Sequence, residues 1–190
     1  LYLVDASSKG IEVTELTTVD KTRTSIELIL KDVDAELLTG SSDKSVIEKV
    51  LDAGRLMLSA DTVGAAQVML DKSVAYSLER KQFGRLIGSF QAVKHMCAEM
   101  AADLEPCHSM IWHAAHCLDN VPEEARLMAC QTKAHISEVG KQVSKTATEV
   151  HGGMGFTDEL GLHYWFKRIG LNRQLLGSPE LIREEAGKLQ

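Results

Sequence analysis

The sequence predicts a mainly α protein, an antiparallel up-down helical bundle preceded by a few β-strands. Three observations predict it. Apolar residues alternate with period 2 over the first 40 positions. The period changes to 3.6 after Gly40-Ser41-Ser42-Asp43. Three long periodic segments then follow, separated by short breaks rich in glycine or proline. These features place strands over residues 1–42 and the bundle over 43–190.

Leu1 to Asp5 is a short apolar run, and Ser7-Ser8-Lys9-Gly10 reads as a turn. Ile11 to Leu16 and Thr24 to Leu30 alternate cleanly, with Asp20-Lys21 in the turn between them. Three strands make a poor core alone, so they are expected to pair with the helical part or with something outside this chain. A first helix carries Val46, Val50, Ala53, Met57, Ala60, Gly64, Val68, Met69 and Leu78 and ends near Arg80. Apolar over most of its circumference, it is expected to be central. Ser89 is placed to cap a second helix with the stripe Phe90, Val93, Met96, Met100, Leu104, Ile111, Ala114 and Leu118, kinked at Pro106. Pro122 opens a third, carrying Met128, Thr132, Ile136, Val139, Val143, Ala147 and Val150 up to Gly152-Gly153. Three such helices of roughly thirty residues are each about 45 Å long. Thr157-Asp158-Glu159 is expected to start a shorter helix, and Ser178-Pro179-Glu180 the last one.

Composition narrows the function classes. The 44% apolar and 25% charged content describes a soluble globular protein. A net charge of -6 without a basic cluster argues against nucleic acid, and no apolar run approaches the roughly 20 residues of a membrane span. The start Leu1-Tyr2-Leu3-Val4, without methionine or leader, reads as a piece of something longer. Cys97, Cys107, Cys117 and Cys130 form no Cys-x-x-Cys pair and are expected to be reduced structural thiols, as in a cytoplasmic protein. His113 and His116 lie three apart among Cys107, His108 and Cys117. Nothing in the sequence orders further ligands, so no metal is expected.

Two stretches offer chemistry. Glu79-Arg80-Lys81-Gln82-Phe83-Gly84 puts a guanidinium, whose planar fork suits phosphate, beside a glycine turn. The same residues also read as an ordinary helix exit with a favourable cation. His151-Gly152-Gly153-Met154-Gly155-Phe156 offers close backbone approach and amides ahead of a helix, which bind anions, or simply a helix stop.

Taken in order, these blocks resemble the acyl-CoA dehydrogenase family. They are Glu-Arg-Lys-Gln-Phe-Gly-Arg-Leu-Ile-Gly-Ser-Phe-Gln from Glu79, His-Gly-Gly-Met-Gly-Phe-Thr-Asp-Glu from His151, and Leu-Gly-Ser-Pro-Glu from Leu176. The resemblance covers about residues 44–190, and the strands of 1–42 look like the tail of that family's middle β-domain. It implies a flavoprotein oxidoreductase of fatty acid or lipid metabolism. Such an enzyme uses FAD to introduce an α,β double bond into an acyl-CoA and passes electrons to an electron-accepting flavoprotein. Homodimers, homotetramers or α2β2 heterotetramers with a related subunit are implied, with subunits meeting through the long helices. Arg80, Gln82, Phe83, Phe90, Gln91, Gly152 and Gly153 would then touch the flavin. Relatives usually have glutamine at position 149. Glu149 stands there here, and a carboxylate near a pyrophosphate is repelled. Asp52 and Arg55 match the family's Asp-x-x-Arg and would face the substrate, or they form an ordinary i,i+3 ion pair.

The departure concerns the catalytic base. Removing the proton beside the thioester carbonyl needs a carboxylate within about 3 Å. The position where most relatives carry it is Leu176, and the position used by a minority is Gly54. Glu180, Glu184 and Glu185 follow but are expected to serve the last helix's dipole or solvent. Three readings stay open. One is a dehydrogenase subunit whose base lies elsewhere, a second is a sister subunit without a base, and a third is an interaction module that kept only the fold.

Overall fold

The computed structural model describes residues 1–190. Contacts along the chain cluster into two units, Leu1–Leu51 and Asp52–Gln190.

The first unit holds four short strands. β2 (Ile11–Leu16) and β3 (Ser25–Leu30) pair antiparallel from Ile11 opposite Leu30 to Leu16 opposite Ser25. β1 (Tyr2–Leu3) pairs with β4 (Glu36–Leu37), a strand the sequence reading did not separate. Asp20 shapes the turn as expected, its Oδ1 accepting from the Thr22 backbone N–H at 2.9 Å and from its hydroxyl at 2.6 Å. The Leu1 ammonium donates to Ser41 Oγ at 2.8 Å. Little of this unit is buried: Val13 is 59% exposed, and Leu16, Ile26, Leu28 and Leu30 are exposed too.

α1 (Lys44–Glu79) is a single long helix. The hairpin β5 (Lys81–Gln82) and β6 (Arg85–Leu86) and a 3-10 turn (Ile87–Ser89) lead into α2 (Gln91–Asn120). α3 (Pro122–His151), a second 3-10 turn (Gly152–Phe156), α4 (Leu162–Gln174) and α5 (Pro179–Gly187) complete the second unit. Pro122 opens α3 with Glu123 and Glu124 in its first turn. Ser178-Pro179-Glu180 opens α5, as the capping logic predicts.

The central helix is α3 rather than α1. Fifteen residues of α3 are buried against twelve in the longer α1. The core joins Val63, Ala66 and Met69 of α1 to Met100, Leu104 and Cys107 of α2, Ile136, Val143 and Ala147 of α3, and Leu162 and Ile169 of α4. Burying such side chains stabilises by roughly 1.5–3 kcal/mol each. Gly140 lets α1 and α3 approach closely, since a Cβ there would stand 2.4 Å from the Thr62 methyl.

Three expectations are corrected. The buried side of α1 runs through Asp52, Arg55, Ser59, Thr62, Val63, Ala66, Met69, Ser73 and Ser77, while the predicted residues Val50, Met57, Gly64 and Leu78 point outward. Burial is tolerated because hydroxyls bond back to their own helix, as Ser59 Oγ does to the Arg55 carbonyl at 2.8 Å and Ser73 Oγ to that of Met69 at 2.7 Å. Ser89 does not cap α2. Its Oγ turns back to the Leu86 carbonyl at 2.7 Å, and Phe90 holds the cap position without a side-chain bond. Residues 157–159 do not start α4, which begins at Leu162 after Gly161 in the left-handed region, φ 62°.

Candidate functional site

The exit of α1 meets the exit of α3. Phe83 and Gly84, at φ 53° and 76°, turn the β5–β6 hairpin with two consecutive left-handed residues, the pattern of a tight hairpin turn. The Ile87 N–H donates to the Arg80 carbonyl at 2.8 Å and closes its base. Phe83 projects from this turn 92% exposed. Phe90 packs behind it, its ring edge-on to Phe83 at 6.2 Å and the Arg85 guanidinium 3.9 Å above it. The Gln91 amide reaches only its own helix, at His95, 3.5 Å away.

At the other wall, Tyr76 stacks on His151 with ring centroids 4.6 Å apart. Buried His151 holds its Nδ1 2.7 Å from the Ala147 carbonyl, which fixes that nitrogen as the protonated one. Gly152 follows at φ 58°, and a Cβ built on Gly152 or Gly153 meets nothing within 4 Å. Tyr76, Arg80, Gln82, Glu149 and residues 150–154 line one open cavity of about 420 Å³. The two stretches singled out in the sequence are thus brought together. Phe83, Phe90 and Gln91 lie outside that lining. Arg80 and Glu149 make no side-chain hydrogen bond or ion pair within the chain and are exposed.

The glycines close α3 rather than open α4, and the Gly152 N–H is committed to the Glu149 carbonyl. The positive end of a helix dipole is therefore not what they offer, and any anion there relies on the Arg80 charge and on open backbone.

A second cluster surrounds Arg55. Its Nη2 donates to Glu185 Oε2 at 2.7 Å and its Nη1 to Glu185 Oε1, to Asp52 Oδ1, both at 3.1 Å, and to Cys130 Sγ at 3.3 Å. Its Nε donates to the Leu176 carbonyl at 3.2 Å. Arg126 adds a second cation to Glu185, Nε at 3.0 Å. Glu185 therefore does not serve a dipole or solvent, as the sequence suggested. It is the counter-ion of a buried arginine, and the Arg55 hydrogen bonds hold its carboxyl down to about 2. Burial raises the Asp52 carboxyl against the pull of Arg55. The Cys107 and Cys130 thiols are pushed by burial up to about 11, which makes them unreactive, and all four cysteines are free.

The two vacant base positions touch each other. A Cβ on Gly54 would stand 2.6 Å from Leu176 Cδ1. Leu176 holds a left-handed backbone, φ 57°, and is 39% exposed. A bulky residue there costs of order 1–3 kcal/mol and persists only when its surroundings impose it. Buried Arg55 does so by holding the 176 carbonyl. A second buried cation, Lys133, 1% exposed, fixes the end of α4 just upstream, donating to the carbonyls of Asn172 at 2.6 Å and Arg173 at 3.4 Å and to Ser137 Oγ at 3.1 Å. Burial pushes the Lys133 ammonium down to about 8. A neighbouring seam supports them: Arg168 grips Asp61 at 2.7 Å, and buried Asn172 donates to Asp61 at 2.6 Å and Thr62 at 3.1 Å. Lys133 was invisible in the sequence, sitting among apolar residues with no motif around it.

As a class, this is a helical-bundle domain with one polar-locked middle and one open cationic end. Residues 44–188 match the family described as "Acyl-CoA dehydrogenase, C-terminal domain". The chain belongs to the acyl-CoA dehydrogenase family. It is 39% identical over 111 residues to the caffeyl-CoA reductase-Etf complex subunit CarC of Acetobacterium woodii, covering 58% of this chain and 29% of that one. It is 34% identical over 139 residues to acyl-CoA dehydrogenase IpdE2 of Mycolicibacterium smegmatis, covering 73% of this chain and 42% of that one. The ChsE4-ChsE5 complex from Mycobacterium tuberculosis superimposes with a TM-score of 0.89 at 25% identity, over 98% of this chain and 50% of the matched one. The chain thus spans half or less of these relatives. No helix is long and apolar enough to cross a membrane.

Proposed function

We propose that this chain is part of an FAD-dependent dehydrogenase that desaturates an acyl-CoA thioester between its α and β carbons. The supporting observation is the meeting of Arg80, free of any internal partner, with Gly152 and Gly153 around one open cavity. In this reading Arg80 pairs with a flavin phosphate, the glycines admit the cofactor's backbone-facing edge, and Gln82, Phe83, Phe90 and Gln91 complete the contact. FAD, when bound, accepts the hydride. Glu149 fits the group poorly, and its charge weakens an anionic ligand held by Arg80 alone. Asp52, in the same reading, would accept a hydrogen bond from the pantetheine arm of the substrate. Arg55, saturated inside the protein, acts on the acyl group only through the Leu176 carbonyl it holds. Residues 1–42 are the remnant of a β-domain, and 43–190 are the bundle.

A second reading, that of a sister subunit in an α2β2 assembly, is favoured by the direct Leu176–Gly54 contact, which leaves leucine where a base is needed. Both readings place the protein in the cytoplasm, in lipid metabolism, with an electron-accepting flavoprotein as partner. The relatives named as an Etf complex subunit and as a two-protein complex support that arrangement. The outward side of α1, which carries exposed Met57 and Leu78 at separate points along its length, suits contact with another subunit, whether in a homodimer, a homotetramer or a mixed one.

The test uses the full-length protein. It should purify yellow, and Arg80→Ala should lose flavin while staying folded; a colourless wild type defeats the flavoprotein reading. Leu176→Glu, with Gly54 leaving room opposite, should raise acyl-CoA-dependent dye reduction by roughly a hundredfold or more, the scale of a positioned general base. High activity in the unaltered isolated chain would defeat the sister-subunit reading.

A further inference from the structure

The opposite end of α3 carries a third cluster, which the flavin and thioester readings do not use. His113 and Cys117 are one helical turn apart on α2, and Glu124 sits in the first turn of α3. One ligand atom from each, imidazole nitrogen, thiol sulfur and carboxylate oxygen, lies within 4.8 Å of the others. Cys117 Sγ and His113 Nε2 are 3.8 Å apart. That is long for a hydrogen bond to nitrogen. It matches two ligands of one tetrahedral ion, since bonds of about 2.3 Å to sulfur and about 2.0 Å to nitrogen set the ligands roughly 3.6 Å apart.

We infer that His113, Cys117 and Glu124 form a binding site for a divalent transition metal of the zinc type, with water in the fourth position. The ligand set selects the ion. A thiolate and an imidazole discriminate against magnesium and calcium, which prefer oxygen donors throughout. Charge balances as well: one thiolate and one carboxylate neutralise a dication, and the thiol proton leaves to solvent on binding.

The site is built on stiff backbone. The Val121 N–H donates to the Cys117 carbonyl at 3.0 Å and the Glu124 N–H to the Val121 carbonyl at 3.0 Å, so the short turn fixes α3 against the end of α2. The last turn of α2 also favours a cation through its dipole. The neighbour that the sequence suggested, His116, is not part of the set. It faces Asn120, whose amide nitrogen is 3.2 Å from its Nδ1. The bound ion would tie the α2–α3 turn shut and shield a buried thiol, at the end of α3 remote from Gly152.

The experiment takes the full-length protein stripped with a chelator and titrates it with Zn²⁺ alone and, separately, with Co²⁺ alone. We expect one equivalent per chain and a thiolate-to-cobalt charge-transfer band. Cys117→Ser should abolish the band, and His113→Ala should weaken binding at least tenfold. His116→Ala should change neither, and flavin content should be the same in all four proteins. His113 is exposed, so its variant folds even if the Cys117 variant does not. No charge-transfer band, or undiminished binding in His113→Ala, overturns the site. A colourless protein that still binds one metal leaves the site standing while the flavin reading falls.

Discussion

Two arginines on α1 and its exit behave in opposite ways. Arg55 commits every donor group of its guanidinium inward, to Glu185, Asp52, Cys130 and the Leu176 carbonyl. Arg80 commits none within the chain and faces a cavity. The residue type is the same, and one helix leads from the first to the second. The environment decides whether the charge holds the fold or stays available to a ligand. That an arginine stands inside a motif is therefore no guide to which role it plays, whereas its hydrogen-bond partners are.

The strongest way to break the comparison is to remove a partner from each. Glu185→Ala leaves Arg55 buried with only Asp52 as counter-ion and should cost about 3–5 kcal/mol in urea unfolding. Arg80→Ala should stay within about 0.5 kcal/mol of wild type. Equal losses would erase the distinction. Next in size, Gly140→Ala should cost about 1–3 kcal/mol, because the added methyl has to push Thr62 off its position on α1.

Titration sharpens the same contrast. The Glu185 carboxyl is held near 2 by its arginine hydrogen bonds, against an ordinary 4.5. A depressed carboxylate stabilises the fold above its unfolded value, so this contribution is full above 4.5 and disappears as pH falls toward 2. Unfolding midpoints measured across that window should fall for wild type and vary less for Glu185→Gln. Lys133 runs the other way. Its ammonium is depressed to about 8 from 10.5, so between those values the unfolded chain binds the extra proton, and stability should rise with pH there. Lys133→Met should flatten that rise. The smallest effect is Glu149→Gln, which should tighten flavin binding by about 1 kcal/mol or less while leaving the unfolding midpoint in place.

How much of this could be read from the sequence depended on whether a signal was local. The bundle, the proline starts of α3 and α5 and the break at Val121 follow from periodicity and capping, and each was legible. The start of α4 was not, because the Thr157-Asp158-Glu159 signature lost to a left-handed Gly161 further on. The buried side of α1 was misread for a related reason. A helix that buries Asp52, Arg55 and Ser73 hides its core face behind polar letters, and its apolar letters Met57 and Leu78 look outward. Of the candidate site, Arg80 and the glycines could be found by motif. Lys133 and Glu185 could not, since what singles them out is a partner 39 residues away for one and 130 for the other. No metal was expected because nothing in the sequence orders further ligands around His113 and His116, and the fold groups His113 with Cys117 of the same helix and with Glu124 of α3 instead.

The unbroken length of α1 has a consequence for how ligands are shared. At 1.5 Å per residue, the stretch from Arg55 to Arg80 measures about 37 Å along the helix axis. A single small molecule held at Arg80 is out of reach of Arg55. The buried lock around Arg55 and the open cavity at Arg80 therefore stand apart, so that disturbing one leaves the other in place.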